Sequence, residues 1–115
     1  MSCFVENYIL KKSKEYYKII NILNKKVYWT NHCLNRINQR NISVNDIKNA
    51  INNGNIIEYY YKDYPYPSCL IMGRKKDNRI IHIVCGISEE YIYIITAYHP
   101  DTEKWETNLK YRRDI

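Results

Sequence analysis

Histidine and arginine recur at helical spacing in one short stretch of the chain. His32, Arg36 and Arg40 stand four residues apart. In a helix they lie along one side, within an arc of about 80° at roughly 100° per residue. Arginine presents a planar fork of N–H donors to phosphate oxygens. This basic ridge (His32, Arg36 and Arg40) therefore predicts a phosphate-binding surface, and the alternative is a solvated helix face with an arginine tied to backbone carbonyls.

A further histidine stands inside an apolar run. Residues 80–84 read IIHIV, so in a strand His82 shares a face with Ile80 and Val84. One interpretation is a core histidine whose ring nitrogens are satisfied by hydrogen bonds. The other is a general acid or base, because a half-buried imidazole changes charge near neutral pH.

Two polar residues, Thr96 and Tyr98, share one face of the last apolar run. If residues 88–90 turn the chain back, positions whose numbers sum to about 178 lie opposite each other, and directly opposed residues project to the same face. This register places His82 beside Thr96, with Tyr98 next on the same face. We therefore predict that His82, Thr96 and Tyr98 meet the helix face carrying His32 in one active site. The alternative is a buried hydrogen-bond network that only fixes packing.

Helical periodicity occupies the first half of the chain. Apolar residues recur at helical spacing over residues 5–24, and a second helix fits residues 30–40 with Thr30 or Asn31 as its N-cap. A third helix begins at Ser43, where Asp46 stands in the place of the usual glutamate of a capping box. The polar residues 52–54 end it, with Gly54 last.

Strand-like patterns follow Gly54. Runs rich in β-branched and aromatic residues cover 56–61, 68–73, 79–87 and 91–98. The connections between them are short, and a parallel crossover needs a dozen residues or more. The sequence therefore predicts an α+β fold in which N-terminal helices pack on a four-stranded antiparallel sheet. Residues 1–27 are interpreted as an N-terminal helical extension and residues 28–115 as a single globular unit.

The composition limits the classes to which the protein can belong. The chain has 115 residues, of which 45% are hydrophobic and 26% charged, as in ordinary globular domains. Its net charge of +6 favours a protein that binds polyanions, most often nucleic acid. The alternative is a basic protein of an AT-rich organism, because lysine codons are AT-rich. No apolar run approaches the roughly 20 residues needed to cross a bilayer, and the first residues lack a signal-peptide pattern. We therefore expect a cytoplasmic protein without a membrane partner.

The four cysteines do not predict a metal site. Cys3, Cys33, Cys69 and Cys85 form no C-x-x-C pair, and the adjacent His32 and Cys33 have the wrong spacing for a closed zinc site. Cys69 and Cys85 lie in apolar runs, where cysteine behaves as a small hydrophobic residue. We expect reduced thiols, no metal and no cofactor.

Several motifs taken in order resemble a bacterial family of small uncharacterised proteins. Residues 32–43 read HCLNRINQRNIS, where that family reads H-A-x-x-R-M-x-x-R-G-I-S. Gly54, the segment YPYPS (64–68), the strand IHIV (81–84), the ending IITAYHPD (94–101) and Trp105 follow in the same order. The resemblance covers residues 29–105. Cys33 replaces a usual alanine and Asn41 a usual glycine, and asparagine tolerates the left-handed conformation that glycine would supply.

The resemblance implies a relation to the RelE-like and BrnT-like toxins of the barnase–EndoU–colicin–RelE superfamily. It implies an α+β fold, metal-independent RNA cleavage by 2′-hydroxyl attack and, for some members, a small zinc-finger antitoxin as partner. In this chain His82 or His32 would be the general base, and Arg36 or Arg40 would stabilise the phosphorane. Thr96 and Tyr98 would orient the phosphate or donate a proton.

Further residues would hold the RNA. Tyr64 and Tyr66 would stack on unpaired bases, and Lys75 and Lys76 would join Arg36 and Arg40 in nucleic-acid binding. The sequence thus predicts a toxin-like endoribonuclease. The alternatives are a non-catalytic module that binds RNA or a partner protein, and a housekeeping domain whose polar residues only hold the helix to the sheet.

Overall fold

The structure, a computed structural model, describes residues 26–106 and 108–112. Five strands and two helices follow in the order β1 (Lys26–Trp29), α1 (Asn31–Gln39), α2 (Val44–Asn53), β2 (Asn55–Tyr60), β3 (Ser68–Arg74), β4 (Ile80–Ile87) and β5 (Tyr91–Tyr98). The helix expected over residues 5–24 lies outside the described residues. Neither described helix has the length and hydropathy to span a membrane.

Local capping sets the helix boundaries as the sequence predicted. The Thr30 side chain accepts a hydrogen bond from the Cys33 amide at 3.0 Å and begins α1. Ser43 and Asp46 form the capping box of α2, each side chain accepting from the other's backbone N–H at 2.9 Å. Between the helices, Asn41 has a φ of 63°, the left-handed conformation that asparagine tolerates.

The sheet differs from the predicted four-stranded antiparallel sheet. Strands β2, β3, β4 and β5 do form a consecutive antiparallel series, but the strand order is β1-β5-β4-β3-β2 and β1 pairs with β5 in parallel. The sheet is therefore five-stranded and mixed within an α+β fold. The boundary predicted between residues 27 and 28 falls inside β1.

The short length of β1 explains why the sequence did not indicate it. Four residues carry little period-two signal, and the polar stretch around Lys26 suggested a helix end. Its partner residues start at Tyr91, so only the folded chain brings the pair together. Residues 30–90 lie between β1 and its parallel partner β5, which exceeds the dozen residues that a parallel connection requires.

The hydrophobic core lies between the helices and one face of the sheet. Cys33, Ile37, Ile47 and Ile51 of the helices pack with buried residues of β3, β4 and β5. Partly buried residues of the two edge strands complete the core: Val27 and Trp29 of β1, and Ile56 and Tyr59 of β2. Helix α2 approaches β3 at Gly73, where a β-carbon would lie 2.1 Å from the backbone oxygen of Ala50. A glycine is therefore required at this crossing.

The C-terminal segment, residues 101–106 and 108–112, covers part of the opposite side of the sheet, called here the far face. Trp105 is 2% exposed and forms an antiparallel bridge with Arg112. Leu109, with a φ of 60°, lies in the turn between them. The chain therefore has helices on one face of the sheet and its own end on the other.

Candidate functional site

The far face carries a set of polar and aromatic side chains from four separated segments. Ile81 and Ile83 belong to the helix-side core, so His82 between them projects to the far face. Tyr98 lies directly opposite His82. Glu58 and Tyr60 of β2 lie opposite Leu70 and Ser68 of β3, which alternate with the helix-side residues Cys69 and Ile71. The far-face cluster is Glu58, Tyr60, His82, Tyr98, Trp105 and Arg112.

The register of β4 and β5 differs from the prediction by two positions. His82 lies opposite Tyr98, and Val84, rather than His82, lies opposite Thr96. One position comes from the turn, because the Ser88 amide donates to the Tyr91 carbonyl at 2.9 Å and leaves a two-residue loop. The other comes from a bulge in β5, where one extra residue stands before Thr96.

His82 is fully buried beneath the C-terminal segment. Its exposed fraction is 0%, and the Trp105 ring meets it edge-on with centroids 4.4 Å apart. Its Nε2 lies 2.7 Å from the Leu109 carbonyl oxygen. Because a carbonyl only accepts, Nε2 carries the proton and donates it, while Nδ1 is buried without a hydrogen-bond partner.

Burial also determines the charge of His82. Loss of hydration lowers the pKa of His82, and the bond to Leu109 and the nearby Glu58 carboxylate act in the opposite direction. The net shift is downward, so the imidazole is neutral at neutral pH. A neutral imidazole with a free Nδ1 lone pair is a proton acceptor.

The far-face cluster also contains an ion pair between Glu58 and Arg112. Arg112 Nε donates to Glu58 Oε2 at 2.9 Å and Nη2 donates to Oε1 at 3.1 Å, a bidentate arrangement. The Tyr60 hydroxyl also donates to Glu58. The Arg112 guanidinium lies 4.7 Å from the centre of the Trp105 ring. Its hydrogen bonds to Glu58 raise the pKa of Arg112, so this group is a permanent cation.

Arg40 binds the edge of β5 instead of facing solvent. Its Nη1 donates to the Thr96 hydroxyl at 3.0 Å and to the Ala97 carbonyl at 2.8 Å. Strand β1 pairs only with residues 91–94, so the β5 edge beyond Ile94 has no strand beside it in the described part of the chain. Arg40 supplies donors to that edge and links α1 to the polar end of β5.

The structure separates His32 from His82. Helix α1 packs on the helix side of the sheet through Cys33 and Ile37, whereas His82 lies on the far face. His32 and Arg36 are exposed on α1. From the basic ridge, Arg40 hydrogen-bonds to the strand that also carries Tyr98. His82 and Tyr98 therefore come together, and His32 does not join them.

The residues expected to hold RNA lie in different environments. Lys75 is 3% exposed, and its Nζ donates to the Asn41 carbonyl at 3.4 Å and lies 3.5 Å from an Asp77 carboxylate oxygen. Lys76 is exposed. Tyr64 is 95% exposed, and Tyr66 is 42% exposed. Of these four residues, the two tyrosines and Lys76 are open to solvent.

Four members of the far-face cluster, Glu58, Tyr60, Trp105 and Arg112, were not singled out from the sequence as site residues. Glu58 offered the one sequence signal for a site residue, because it is a charged residue inside an apolar strand pattern. Arg112 was one of several basic residues near the chain end, and Trp105 was only part of the motif series. Glu58 and Arg112 are 54 residues apart, so no spacing rule connects them.

The chemistry of the far-face cluster is acid–base and electrostatic. It holds one carboxylate, one neutral imidazole, one guanidinium and two phenols. Within residues 26–106 and 108–112, no three side chains of His, Cys, Asp or Glu are grouped as metal ligands. The three cysteines described, Cys33, Cys69 and Cys85, are buried free thiols.

Comparison with known proteins identifies one family. Residues 29–99 match the model of a family described as a domain of unknown function, DUF4258. The matched range includes Glu58, Tyr60, His82 and Tyr98, and ends before Trp105 and Arg112. Comparison with curated proteins and with solved structures gives no significant match.

Proposed function

We propose that this chain, which belongs to the DUF4258 family, is a metal-independent endoribonuclease that cleaves RNA through attack by the 2′-hydroxyl. The observation that carries the proposal is the bidentate Glu58–Arg112 pair beside the buried, neutral His82 on one face of the sheet. Such a pair combines a proton acceptor with a fixed cation, and these two functions are sufficient for RNA transesterification.

Arg112 would bind the scissile phosphate. An RNA phosphate offers the same two-oxygen geometry as the Glu58 carboxylate, so it competes for the Arg112 donors. Exchange of partners frees the Glu58 carboxylate next to the bound phosphate. The Arg112 guanidinium then faces the oxygens on which negative charge increases in the transition state.

Proton transfer would use Glu58 and Tyr98. Glu58 takes the proton of the 2′-hydroxyl as that oxygen attacks phosphorus. The bond from phosphorus to the 5′-oxygen breaks, and the Tyr98 hydroxyl protonates the leaving oxygen. Burial raises the pKa of Tyr98, so the phenol stays protonated before the reaction. The products are a 2′,3′-cyclic phosphate and a 5′-hydroxyl end, and solvent returns the Glu58 proton to Tyr98.

Glu58 is the base in this proposal because it is more accessible than His82. The Glu58 side chain is 22% exposed, whereas His82 is 0% exposed and donates its Nε2 proton to Leu109. His82 then acts as a positioning residue that holds the C-terminal segment against the sheet. It becomes a proton acceptor through Nδ1 only when that segment moves away.

The wider biological role belongs to the same proposal. The resemblance to RelE-like and BrnT-like toxins and the net charge of +6 support RNA as the substrate. A small zinc-finger antitoxin would then bind the chain and cover the far face. Expression should arrest bacterial growth, and co-expression of the partner should restore it.

The decisive experiment measures cleavage of single-stranded RNA by the full chain in the presence of a chelator. Glu58→Gln should reduce the rate by about 10²–10⁴-fold, as expected for a lost general base. Arg112→Gln should reduce it by about 10²–10³-fold, as for a lost transition-state donor. Asp77→Asn and Arg79→Gln are matched controls, because they break another exposed ion pair with a distance of 2.9 Å.

The outcomes separate catalysis from binding. Circular dichroism and urea unfolding confirm that each variant folds. Equal rates for wild type, Glu58→Gln and Arg112→Gln would rule out this site. If the wild-type protein cuts no RNA, the proposed ribonuclease activity is ruled out.

The second candidate function is a non-catalytic module that binds RNA or a partner protein. The observation that favours it is the closure of the cluster, in which His82 is covered and Arg112 is already paired. Such a module would bind RNA with an affinity that falls as salt rises, and it would leave the RNA intact.

A further inference from the structure

A cleft of about 730 Å³ lies at one end of the far face, away from the far-face cluster. It is formed between the segment before β3 and the β4–β5 hairpin. Its lining includes three tyrosines, Tyr66, Tyr91 and Tyr93, and two carboxylates, Glu89 and Glu90. These residues come from two segments that are far apart in sequence, so the cleft exists only in the folded chain.

The tyrosines form a connected aromatic surface. The Tyr66 and Tyr93 rings are nearly parallel, with an interplanar angle of 8° and centroids 5.4 Å apart. Tyr28 of β1 and Tyr91 lie 5.5 and 5.9 Å from the Tyr93 ring. Tyr28 is 51% exposed and Tyr66 42% exposed, so ring surface remains available. Flat π surfaces of this kind stack on unpaired nucleobases.

The cleft lies on the same face of the sheet as the proposed active site. Tyr93 lies opposite Gly86, which alternates along β4 with His82 and Val84 on the far face. Tyr93 and Tyr98 are five positions apart, roughly 15 Å along the strand. An RNA strand that places a phosphate in the far-face cluster can therefore extend along the same face and place the base of a nearby nucleotide on Tyr93.

The charges around the cleft favour binding of a nucleobase over binding of a phosphate. Glu89 and Glu90 form the hairpin loop and are exposed, and no lysine or arginine is among the described residues that line the cleft. Two carboxylates repel a phosphate but accept hydrogen bonds from N–H groups. The cleft therefore favours a flat group with N–H donors at its edge over an anionic group.

We propose that this cleft is a subsite for an unpaired guanine of the RNA. Guanine presents N1–H and an N2 amino group side by side on its Watson–Crick edge, and one carboxylate can accept from both. Adenine, cytosine and uracil each lack such a pair of adjacent donors. The guanine ring extends the Tyr66–Tyr93 stack on its exposed face while Glu89 or Glu90 binds that edge. The inference rests on the proposed function, since it assigns the base preference of the same RNA.

The first test measures binding of the four nucleoside monophosphates to the full chain by NMR titration. Guanosine monophosphate should bind tightest. Tyr93→Leu should weaken its binding by about 5- to 150-fold, the range measured for loss of one stacked base. The double variant with Glu89→Gln and Glu90→Gln should lower guanosine binding to the level of adenosine and leave adenosine binding unchanged. Tyr61→Leu and Glu103→Gln, outside the cleft, are the matched controls.

The second test maps the cut sites in a mixed-sequence RNA, with guanosine expected at a constant position relative to the cut. Cleavage without base preference, together with equal binding of all four monophosphates, would overturn the guanine subsite and leave the ribonuclease intact. Selective guanosine binding without cleavage would overturn the ribonuclease and leave the subsite intact. A guanosine preference that survives both glutamate substitutions would overturn the role assigned to the carboxylates.

Discussion

Acidification should destabilise this protein through its buried His82. Burial lowers the pKa of His82 in the folded state, while the unfolded chain has the ordinary value of about 6.5. Below that value the unfolded state binds more protons than the folded state, so the free energy of unfolding falls as the pH falls. The loss stops once the pH is below the folded-state pKa, where both states are protonated.

The size of the effect follows from linkage. One histidine contributes a slope of at most about 1.4 kcal/mol per pH unit in this window. Burial also lowers the pKa of His99, so this residue adds a second contribution of the same sign. Against a total stability of roughly 5–15 kcal/mol, such a loss is readily measured. The carboxyl groups of Asp46 and Asp77 have lowered pKa values and titrate below this range.

Urea unfolding at intervals from about pH 7.5 to about pH 5 measures the slope. His82→Gln should remove the His82 contribution, and His99→Gln should leave that contribution in place. The protection factors of the amides in residues 105–106 and 108–112, calculated against the intrinsic exchange rate at each pH, should fall as the pH falls, because protonation of His82 favours release of the C-terminal segment that buries it. A His82→Gln variant with the full wild-type slope would refute the linkage of this imidazole to folding.

Three further predictions concern other parts of the fold. Arg40→Ala should lower the free energy of unfolding by about 1–3 kcal/mol in urea, because it leaves acceptors at the β5 edge unpaired; an unchanged midpoint would contradict the proposed edge role. Gly73→Ala should lower the free energy of unfolding by about 1–3 kcal/mol or more, since the new methyl meets the Ala50 backbone. The new methyl of Gly86→Ala meets no atom closer than 3.8 Å, so this variant should be tolerated. Equal stability of the two variants would refute this. Arg36→Ala should lower the salt slope of RNA binding by about 0.7 if this exposed arginine contacts a phosphate, and an identical slope would remove it from the binding surface.

Local sequence patterns determined the helices and the antiparallel strands. Thr30 and the pair Ser43 and Asp46 mark helix starts because capping involves residues only three positions apart. Strand β5 was predicted with its observed limits, since eight residues of apolar and aromatic character between a turn and a proline are a strong signal. These elements are set by interactions between residues close together in the sequence, so their sequence patterns are sufficient to predict them.

The strand register and the site were decided by tertiary structure. A two-residue turn and a one-residue bulge moved His82 from Thr96 to Tyr98, and neither has a composition signal in this chain. Strand β1 joins the sheet through a partner more than sixty residues away. Glu58 meets Arg112 only because the chain end folds back over the far face. Such contacts form between segments that are far apart in the sequence and meet only in the folded chain. Residue type and local spacing do not indicate which distant segments will meet.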